Sequence, residues 1–322
     1  MAEEEKQSQL LELADWIFLL GKKPTQDSAL KATIKARLVE LSAAETARCL
    51  CPWALSAEEL VQVEQKNAEE LKSLEDKIQD AVTNLGESEV REAIHNKAKF
   101  LDRIGKKDEA LAIYEETLNK SVHSSHQIDI LFDVIKMGMF WGDAHLVSKY
   151  IGPAKEMVEK GGDWEKRNML KVYEGVYLMM IREFKKASVF FLDSIATFTC
   201  SDLFPYKRFI LYTVILAVVS IDRVELRKKV IESPDVISVI GEIPYLQPFL
   251  QSFYSGNYSE FMKALAGIMD AFAHDRYIHS HYSYYVREIR IVAYLQFLQP
   301  FKSVTLQTMA TSFGLTPEFL DS

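Results

Sequence analysis

Hydrophobic positions recur at a helical spacing along most of the chain. Ala110, Tyr114 and Leu118 lie four residues apart, as do Ala187, Phe191 and Ile195, a row that Phe198 is expected to continue. Side chains at this spacing lie on one face of an α-helix. The 322 residues include 13 Gly and 9 Pro, fewer than a sheet protein needs for its frequent turns. The pattern therefore predicts an all-α protein of long helices joined by short connections.

Five polar turns recur at a nearly constant interval. Each leads into the first apolar position of the next helix, and the last residues of successive turns are separated by 37, 40, 39 and 35 residues. Such an interval is typical of tetratricopeptide-like helix–turn–helix repeats, in which every helix pair buries its apolar face on its neighbour. The fourth turn matches the pattern least well. The turns are GKKDEA (105–110), GDAHLV (142–147), REFKKA (182–187), IDRVEL (221–226) and GNYSEF (256–261).

A charged stretch before the repeats carries a narrow apolar seam. About two heptads are too few for an independent coiled coil. We favour a long helix that packs on the first repeat, and a helix that faces a partner protein is the alternative. The first 55 residues predict weakly specified helices, with loops at Gly21–Pro24 and near Pro52. The seam consists of Leu71, Leu74, Ile78, Ala81 and Leu85.

Two apolar segments lie further along the chain. The run Phe209–Val219 is shorter than the roughly 18–20 residues that cross a bilayer, so it predicts a buried helix and no membrane partner. Residues 280–299 are rich in aromatic side chains and predict a helix that Pro300 ends. One face of this helix is expected to consist of Val286, Ile289, Tyr294 and Phe297.

The last residues predict a helix-turn-helix unit. Leu306, Met309 and Phe313 share a helical face, Gly314 can end that helix in the left-handed conformation, and Thr316-Pro317 is typical of a second helix start. Helices that read DNA begin with basic or amide side chains, whereas residues 316–321 carry two acids and no base. The net charge of −8 also disfavours phosphate binding. We favour protein packing, with a winged-helix nucleic-acid-binding protein as an alternative.

Candidate catalytic and metal sites are weak. If His279 and His281 belonged to a metallo-isopeptidase, its Ser and Asp would fall at Ile289 and Val292. Cys49 and Cys51 have no second cysteine pair for a structural zinc site. No phosphate-binding loop or hydrolase motif occurs. We therefore expect no enzyme activity, no metal, no cofactor and no small-molecule substrate.

Composition and surface charge add two expectations. An apolar share of 48%, three cysteines and an acidic N-terminal stretch without a secretory h-region favour a reducing compartment, the cytoplasm and nucleus. Two basic groups, Lys185-Lys186 and 227–229, are more consistent with solvated helix faces than with docking sites for an acidic partner.

Four long segments resemble the PCI-domain non-ATPase lid subunit of the 26S proteasome regulatory particle, and the resemblance runs from about Glu59 to the last residue. It implies a tetratricopeptide-like solenoid followed by a PCI winged helix, with domains at 1–58, 59–250 and 251–322. The segments are NLGESEVREAIHNKAKFLDRIGKKDEAL (84–111), GGDWEKRNMLKVYEGVY (161–177), FKKASVFFLDSIATFT (184–199) and YYVREIRIVAYLQFLQPFKSVTLQTMATSFGL (284–315).

The resemblance also implies a function. Such subunits are non-catalytic scaffolds of the lid, which serves ATP-dependent degradation of ubiquitylated proteins, and they contact other lid and base subunits through their PCI domains. A PCI scaffold of the signalosome or of translation initiation factor 3 is the alternative. The implied partner-binding residues are Lys302, Ser303, Val304, Thr305, Leu306, Phe313 and Phe319.

The family continues beyond the position of Ser322, with the rest of the second helix, a third helix, two wing strands and a C-terminal helix. We therefore expect the winged helix to be C-terminally truncated. Its apolar side chains would lose packing partners, so residues from about 303 onward are expected to be poorly ordered unless a partner covers them. The side chains concerned are Leu306, Met309, Phe313, Phe319 and Leu320.

Overall fold

The structure is a computed structural model that describes residues 7–22, 27–121 and 123–321. Helices account for most of these residues and no strand occurs among them, which confirms the predicted all-α fold class. The chain divides into two compact units, Met1–Leu170 and Lys171–Ser322, and the division falls within one helix.

The described part of unit 1 begins with three helices that pack together. They are followed by a 28-residue helix and two helical hairpins. The helices are α1 (Gln9–Lys22), α2 (Ser28–Glu40), α3 (Ala44–Leu50), α4 (Ala57–Asn84), α5 (Glu87–Ile104), α6 (Lys107–Lys120), α7 (Ser124–Trp141) and α8 (Ala144–Gly161), and α9 (Trp164–Met180) spans the division.

The first three helices have their own apolar core. Leu13 and Leu20 of α1 pack against Ile34 and Leu38 of α2, all of them buried. The predicted loop near Pro52 is present between α3 and α4. The predicted loop at Gly21–Pro24 is only partly open to comparison, because Gly21 and Lys22 still belong to α1 and the other two positions lie outside the described residues.

Helix α4 packs along α5, as the favoured interpretation of the seam required. Ala81 is buried in this contact, and Leu71, Leu74 and Ile78 are half-buried. Leu85 is 54% exposed, because α4 ends at Asn84. The seam therefore packs α4 against α5 over most of the length of the seam.

The hairpins of unit 1 turn at two glycines. Gly105, between α5 and α6, has a φ of +91°, and Gly142, between α7 and α8, has a φ of +66°. Glycine takes these left-handed angles without the clash that a Cβ would cause. Both predicted turns are therefore confirmed, and each brings an antiparallel helix back onto its predecessor.

The described part of unit 2 contains nine further helices. Its hairpins are α10–α11 and α14–α15, and α17 packs on α15. Short 3-10 segments lie at Ile195–Thr197 and His279–His281. The helices are α10 (Phe184–Asp193), α11 (Tyr206–Ser220), α12 (Arg223–Leu226), α13 (Pro234–Ile240), α14 (Leu246–Ser255), α15 (Tyr258–Ala273), α16 (Tyr282–Leu298), α17 (Leu306–Phe313) and α18 (Pro317–Asp321).

The fourth turn departs from the others, as its weak sequence match suggested. Ile221 has a φ of −116°, outside the left-handed region. Asp222 instead caps α12 by accepting hydrogen bonds from the amides of Val224 and Glu225, both at 2.8 Å. The helix lasts four residues and continues as a π-helix over Arg227–Ile231. This repeat is therefore irregular.

Two predicted helix faces need correction. The buried face of α16 is Tyr285, Ile289, Ala293 and Phe297, whereas the predicted Val286 and Tyr294 are half-buried beside it. The hydroxyl of buried Tyr285 donates a 2.9 Å hydrogen bond to the Ile215 carbonyl, which satisfies its polar group.

The second correction concerns the third repeat. Its helix ends at Asp193, so Phe198 does not extend the face of Ala187 and Phe191. Phe198 lies in extended backbone and packs on Phe209 of α11, with ring centroids 4.6 Å apart. Helix α11 is buried from Phe209 to Val218 apart from half-buried Leu211, which confirms the predicted buried helix.

Candidate partner-binding surface

The implied partner-binding residues occupy the segment before α17 and the two last helices. Lys302 and Ser303 are exposed and Val304 is half-buried. The Thr305 hydroxyl accepts a 3.2 Å hydrogen bond from the Thr308 amide and thereby caps α17. Exposed side chains on a capped, defined helix start are suited to contact with another protein.

Phe313 holds α17 against unit 2. Its ring is 1% exposed and lies 4.7 Å from Tyr258, 4.9 Å from Tyr294 and 5.5 Å from Phe297. Gly314 then ends the helix at a φ of +65°, as predicted. In this chain the Phe313 side chain therefore positions α17 from within and does not lie at the surface.

Leu306 and Phe319 remain outside the core. Leu306 is 51% exposed and Phe319 is 44% exposed. The amide of Phe319 donates to the Thr316 hydroxyl at 3.3 Å, so the predicted cap of α18 is present. The Arg290 guanidinium lies over the Phe319 ring, 4.5 Å from its centroid. The two exposed side chains are therefore apolar surface that a partner could cover.

An apolar row on α16 was missed by the sequence analysis. Ile291, Leu295 and Leu298 are 42%, 60% and 39% exposed, and Phe301 beyond the helix is 50% exposed. Their spacing of four and three residues was visible in the sequence, but the helix is apolar on two faces. Only the fold shows that the face of Ile289 is buried and that of Leu295 is not.

Potential catalytic and metal-binding side chains are dispersed. The ring nitrogen Nε2 of His281 lies 2.6 Å from the Met180 carbonyl oxygen, a contact that fixes the imidazole locally. Burial raises the pKa of the Cys51 thiol to about 11, while Cys49 is exposed. Within residues 7–22, 27–121 and 123–321, no three His, Cys, Asp or Glu side chains are arranged to hold a metal ion.

The described helices include none that is both long and apolar enough to cross a membrane.

The basic groups are exposed on helix surfaces. Lys186 pairs with Glu183 at 3.3 Å, and Arg227 pairs with Glu232 at 2.6 Å. Lys228 is exposed, and Lys229 lies 3.4 Å from Glu225. These ion pairs are consistent with solvated helix faces for Lys186, Arg227 and Lys229, whereas Lys185 has no carboxylate within 4.0 Å among the described residues.

Two family models together match segments of both units. The family model described as 26S proteasome subunit RPN7 matches residues 57–229, and the PCI domain model matches residues 265–322. The 26S proteasome non-ATPase regulatory subunit 6 of Oryza sativa is 43% identical over the whole chain and 84% of that relative. Its Arabidopsis thaliana homolog is 48% identical over 79% of the chain and 66% of that relative.

A more distant similarity reaches the signalosome. COP9 signalosome complex subunit 1 of Arabidopsis thaliana is 24% identical over 77% of the chain and 57% of that relative. Identity to the proteasome subunits of rice and Arabidopsis is therefore nearly twice as high over a similar or longer alignment. The chain belongs to the 26S proteasome subunit RPN7 family.

Proposed function

We propose that this chain is a non-catalytic structural subunit of the 26S proteasome regulatory particle lid. Its role is to scaffold an assembly that degrades ubiquitylated proteins with ATP. The observation that carries the proposal is the similarity to non-ATPase regulatory subunits along the whole chain. Stacked helical hairpins with exposed apolar side chains at Leu306 and Phe319 provide the kind of surface that scaffolds use.

The proposed partners are other lid and base subunits, contacted through the PCI domain. We place the contact on the segment from Lys302 to Leu306 and on Phe319, because these side chains are exposed or half-buried in the described structure. Phe313 contributes indirectly by holding α17 in place.

The proposed domain organisation is 1–58, 59–250 and 251–322. The two family models support it, since one covers 57–229 and the other 265–322, and the proposed boundary after residue 250 falls between them. Limited proteolysis followed by mass spectrometry would test it, with early cleavage expected in the non-helical segments nearest the two boundaries, 51–56 and 241–245. We also propose residence in the cytoplasm and nucleus, where a fluorescent fusion should be seen.

The main test is a tagged pull-down with quantitative mass spectrometry in cells depleted of the endogenous subunit. Recovery of proteasome regulatory subunits supports the proposal. Recovery of the signalosome or of initiation factor 3 in their place would overturn it. A salt-dependent affinity for DNA or RNA, with a slope that reports phosphate contacts, would favour the nucleic-acid alternative.

Two variants locate the contact. Leu306→Asp and Phe319→Asp should each reduce recovery of proteasome subunits, because a charge in an apolar contact is desolvated without a partner. Ile237→Asp on α13 is the matched control, since Ile237 is 59% exposed and lies outside the proposed contact. Equal recovery with all three variants would place the contact elsewhere while leaving the family function intact.

A further inference from the structure

The turn before α10 differs from the other regular turns because an arginine occupies the left-handed position. Gly105, Gly142 and Gly256 take φ angles of +91°, +66° and +78° in the first, second and fifth turns, whereas Arg182 takes +68° in the third. A residue with a Cβ is strained at this angle, and a long side chain offers no local relief. The Arg182 side chain is therefore a candidate for a role outside the turn itself.

A tyrosine ring holds the Arg182 guanidinium. The guanidinium carbon lies 4.7 Å from the ring centroid of Tyr284 on α16, and Arg287 approaches the same ring at 5.2 Å. Phe184 supports the tyrosine ring, with centroids 5.7 Å apart. Stacking on a ring face leaves the guanidinium N–H groups free to meet an acceptor.

These side chains border an open pocket of about 310 Å³ on the surface of unit 2. The cavity lies at the start of α10 and beside α16. A volume of this size is at the lower end for a small-ligand site. Its lining includes Arg182, Glu183, Lys185, Val219, Tyr284 and Glu288.

The two carboxylates of the lining are already paired. Glu183 lies 3.3 Å from the Lys186 ammonium, and Glu288 lies 3.2 Å from the Arg287 guanidinium. Each acid is thus neutralised by a neighbouring cation. Neither pair draws on Arg182 or Lys185.

Arg182 and Lys185 have no such partner. Among the described residues, no carboxylate lies within 4.0 Å of either charged group. The charges of the lining itself balance, and Lys186 and Arg287 beside it bring the net charge of the pocket and its rim to +2, in a chain whose net charge is −8. A positive cavity on an acidic protein is a selective place for an anion.

The backbone at the start of α10 adds donors of the same kind. Glu183 makes no side-chain capping hydrogen bond there. The amides of Phe184 and Lys185 consequently have no acceptor in the described structure. Unsatisfied amides and the helix dipole favour negative charge at this end of a helix.

We propose that this cavity binds a phosphate monoester carried by a phosphorylated serine or threonine of a partner peptide. A phosphate group carries a charge of about −2 and three acceptor oxygens, which match two unpaired cations and several free donors. A single carboxylate matches only half of that charge. Arg182 is the stacked guanidinium that meets the phosphate, and Lys185 supplies the second charge.

The probe is a short fluorescent Gly/Ala peptide with one phosphoserine, titrated into the 322-residue chain by anisotropy at 50 mM and 150 mM salt. The same peptide with Ser or Glu in place of phosphoserine is compared, and inorganic phosphate serves as competitor. We expect the phosphopeptide to bind at least about tenfold more tightly than either counterpart, since charge-assisted hydrogen bonds to a dianion exceed those to one carboxylate. Inorganic phosphate should displace it.

The variant Arg182→Gly tests the assignment without disturbing the fold, because glycine suits the left-handed angle better than arginine. It should weaken phosphopeptide binding by about tenfold, and Lys185→Gln should have a similar effect, since each removes one charge-assisted contact. Arg223→Gln is the matched control. Arg223 also stacks on a tyrosine, 4.8 Å from Tyr254, but it donates to the Tyr254 carbonyl at 2.6 Å and lies outside the cavity.

Three results would overturn the proposal. The first is equal binding of the phosphoserine and serine peptides. The second is equal binding of the glutamate peptide, which would assign the site to carboxylates. The third is unchanged binding in both Arg182→Gly and Lys185→Gln while thermal melting shows that each variant is folded.

Discussion

Nε2 of His95 on α5 lies 3.0 Å from Oδ2 of Asp133 on α7. Two lysine ammonium groups converge on the same carboxylate, Lys136 at 3.1 Å and Lys99 at 3.4 Å. The Asp133 side chain is only 15% exposed, so this charge joins the two hairpins of unit 1 from the inside. Burial alone would raise the pKa of Asp133, but the His95 hydrogen bond and the two lysines lower it to about 2.

The first prediction concerns this carboxylate. Asp133→Asn should lower the free energy of unfolding by about 3 kcal/mol, because the surrounding cations lose their buried counter-charge. Chemical denaturation at pH 7 measures it. Asp129→Asn on the same helix is the control, since Asp129 pairs with Lys166 at 2.7 Å but its side chain is 47% exposed. Asp129→Asn should lower the free energy of unfolding by less than about 1 kcal/mol. An equal decrease in the two variants would contradict the role of burial.

The second prediction concerns Asp102, which lies beside Asp133 and Tyr114 in a cavity of about 160 Å³. Burial and the negative charge of Asp133 raise the pKa of Asp102 to about 7 from an ordinary 3.8, against the effect of Lys136. The folded chain therefore favours the protonated carboxyl. The free energy of unfolding therefore falls as the pH rises from 3.8 to about 7, because the unfolded chain releases the Asp102 proton first. The contribution of the protonated carboxyl is complete below this range and lost above it.

Asp102→Asn removes this titration. The pKa difference corresponds to at most about 4 kcal/mol, and because the cavity admits water we expect the variant to be more stable than the parent by about 2 kcal/mol at pH 8. The two chains should converge towards pH 4. Urea unfolding at pH 4 to 8 checks this, and a constant difference across that range would show that Asp102 does not titrate as described. Asp133 does not interfere, because its lowered pKa places its effect below this window.

The third prediction compares two glycines with the same backbone conformation. A Cβ on Gly105 would lie 2.4 Å from the Thr46 hydroxyl and 2.7 Å from the Thr46 amide nitrogen, whereas a Cβ on Gly142 meets no atom within 4 Å. Gly142→Ala should therefore cost about 1 kcal/mol for the left-handed angle alone. Gly105→Ala should cost about 3 kcal/mol, because overpacking against α3 is added. Thermal unfolding of both variants measures the difference, and similar melting temperatures would argue against the close approach of Thr46.

The fourth prediction concerns amide hydrogen exchange in α17 and α18. These helices have eight and five residues, and Leu306 and Phe319 are largely exposed, so few buried contacts oppose local opening. Their amides should exchange faster than those around Tyr114 in α6 and Phe191 in α10. Exchange as slow as in those helices would contradict the expectation that the segment needs a partner to be well ordered.

Two alanine variants extend that experiment, one at buried Phe313 and one at exposed Leu306. Phe313→Ala removes the ring that packs on Tyr258, so exchange in α17 should accelerate to the limit of local unfolding, with a loss of about 3–5 kcal/mol in docking free energy. Leu306→Ala should change little, because Leu306 is half in solvent already.

Much of the local structure could be predicted from the residues themselves. Gly105, Gly142 and Gly256 mark turns because glycine tolerates the left-handed angle at low cost, and Thr316 marks a helix start through its hydroxyl. These signals depend only on neighbouring residues, so they can be recognised without knowing the rest of the fold. The same applies to the buried helix at Phe209–Val219, which is apolar all round.

The faces of amphipathic helices were harder to predict, because two faces of one helix can both be apolar. The sequence of α16 offered the Ile289 face and the Leu295 face, and packing in unit 2 buries the first and leaves the second exposed. Phe313 was expected among partner-binding residues, yet Tyr258, distant in sequence, provides its stacking partner. Contacts of this kind depend on which elements meet in space.

The residues alone thus specify the all-α class, the repeat turns and the helix ends, because φ preferences and hydrogen-bonding caps act over a few residues. The folded arrangement is needed to show which charges are buried together and which cations are left unpaired. His95 and Asp133 are 38 residues apart, and Arg182 meets the Tyr284 ring across about a hundred residues of chain. Electrostatic energy depends on distance in space and on burial, and neither is a property of position along the chain.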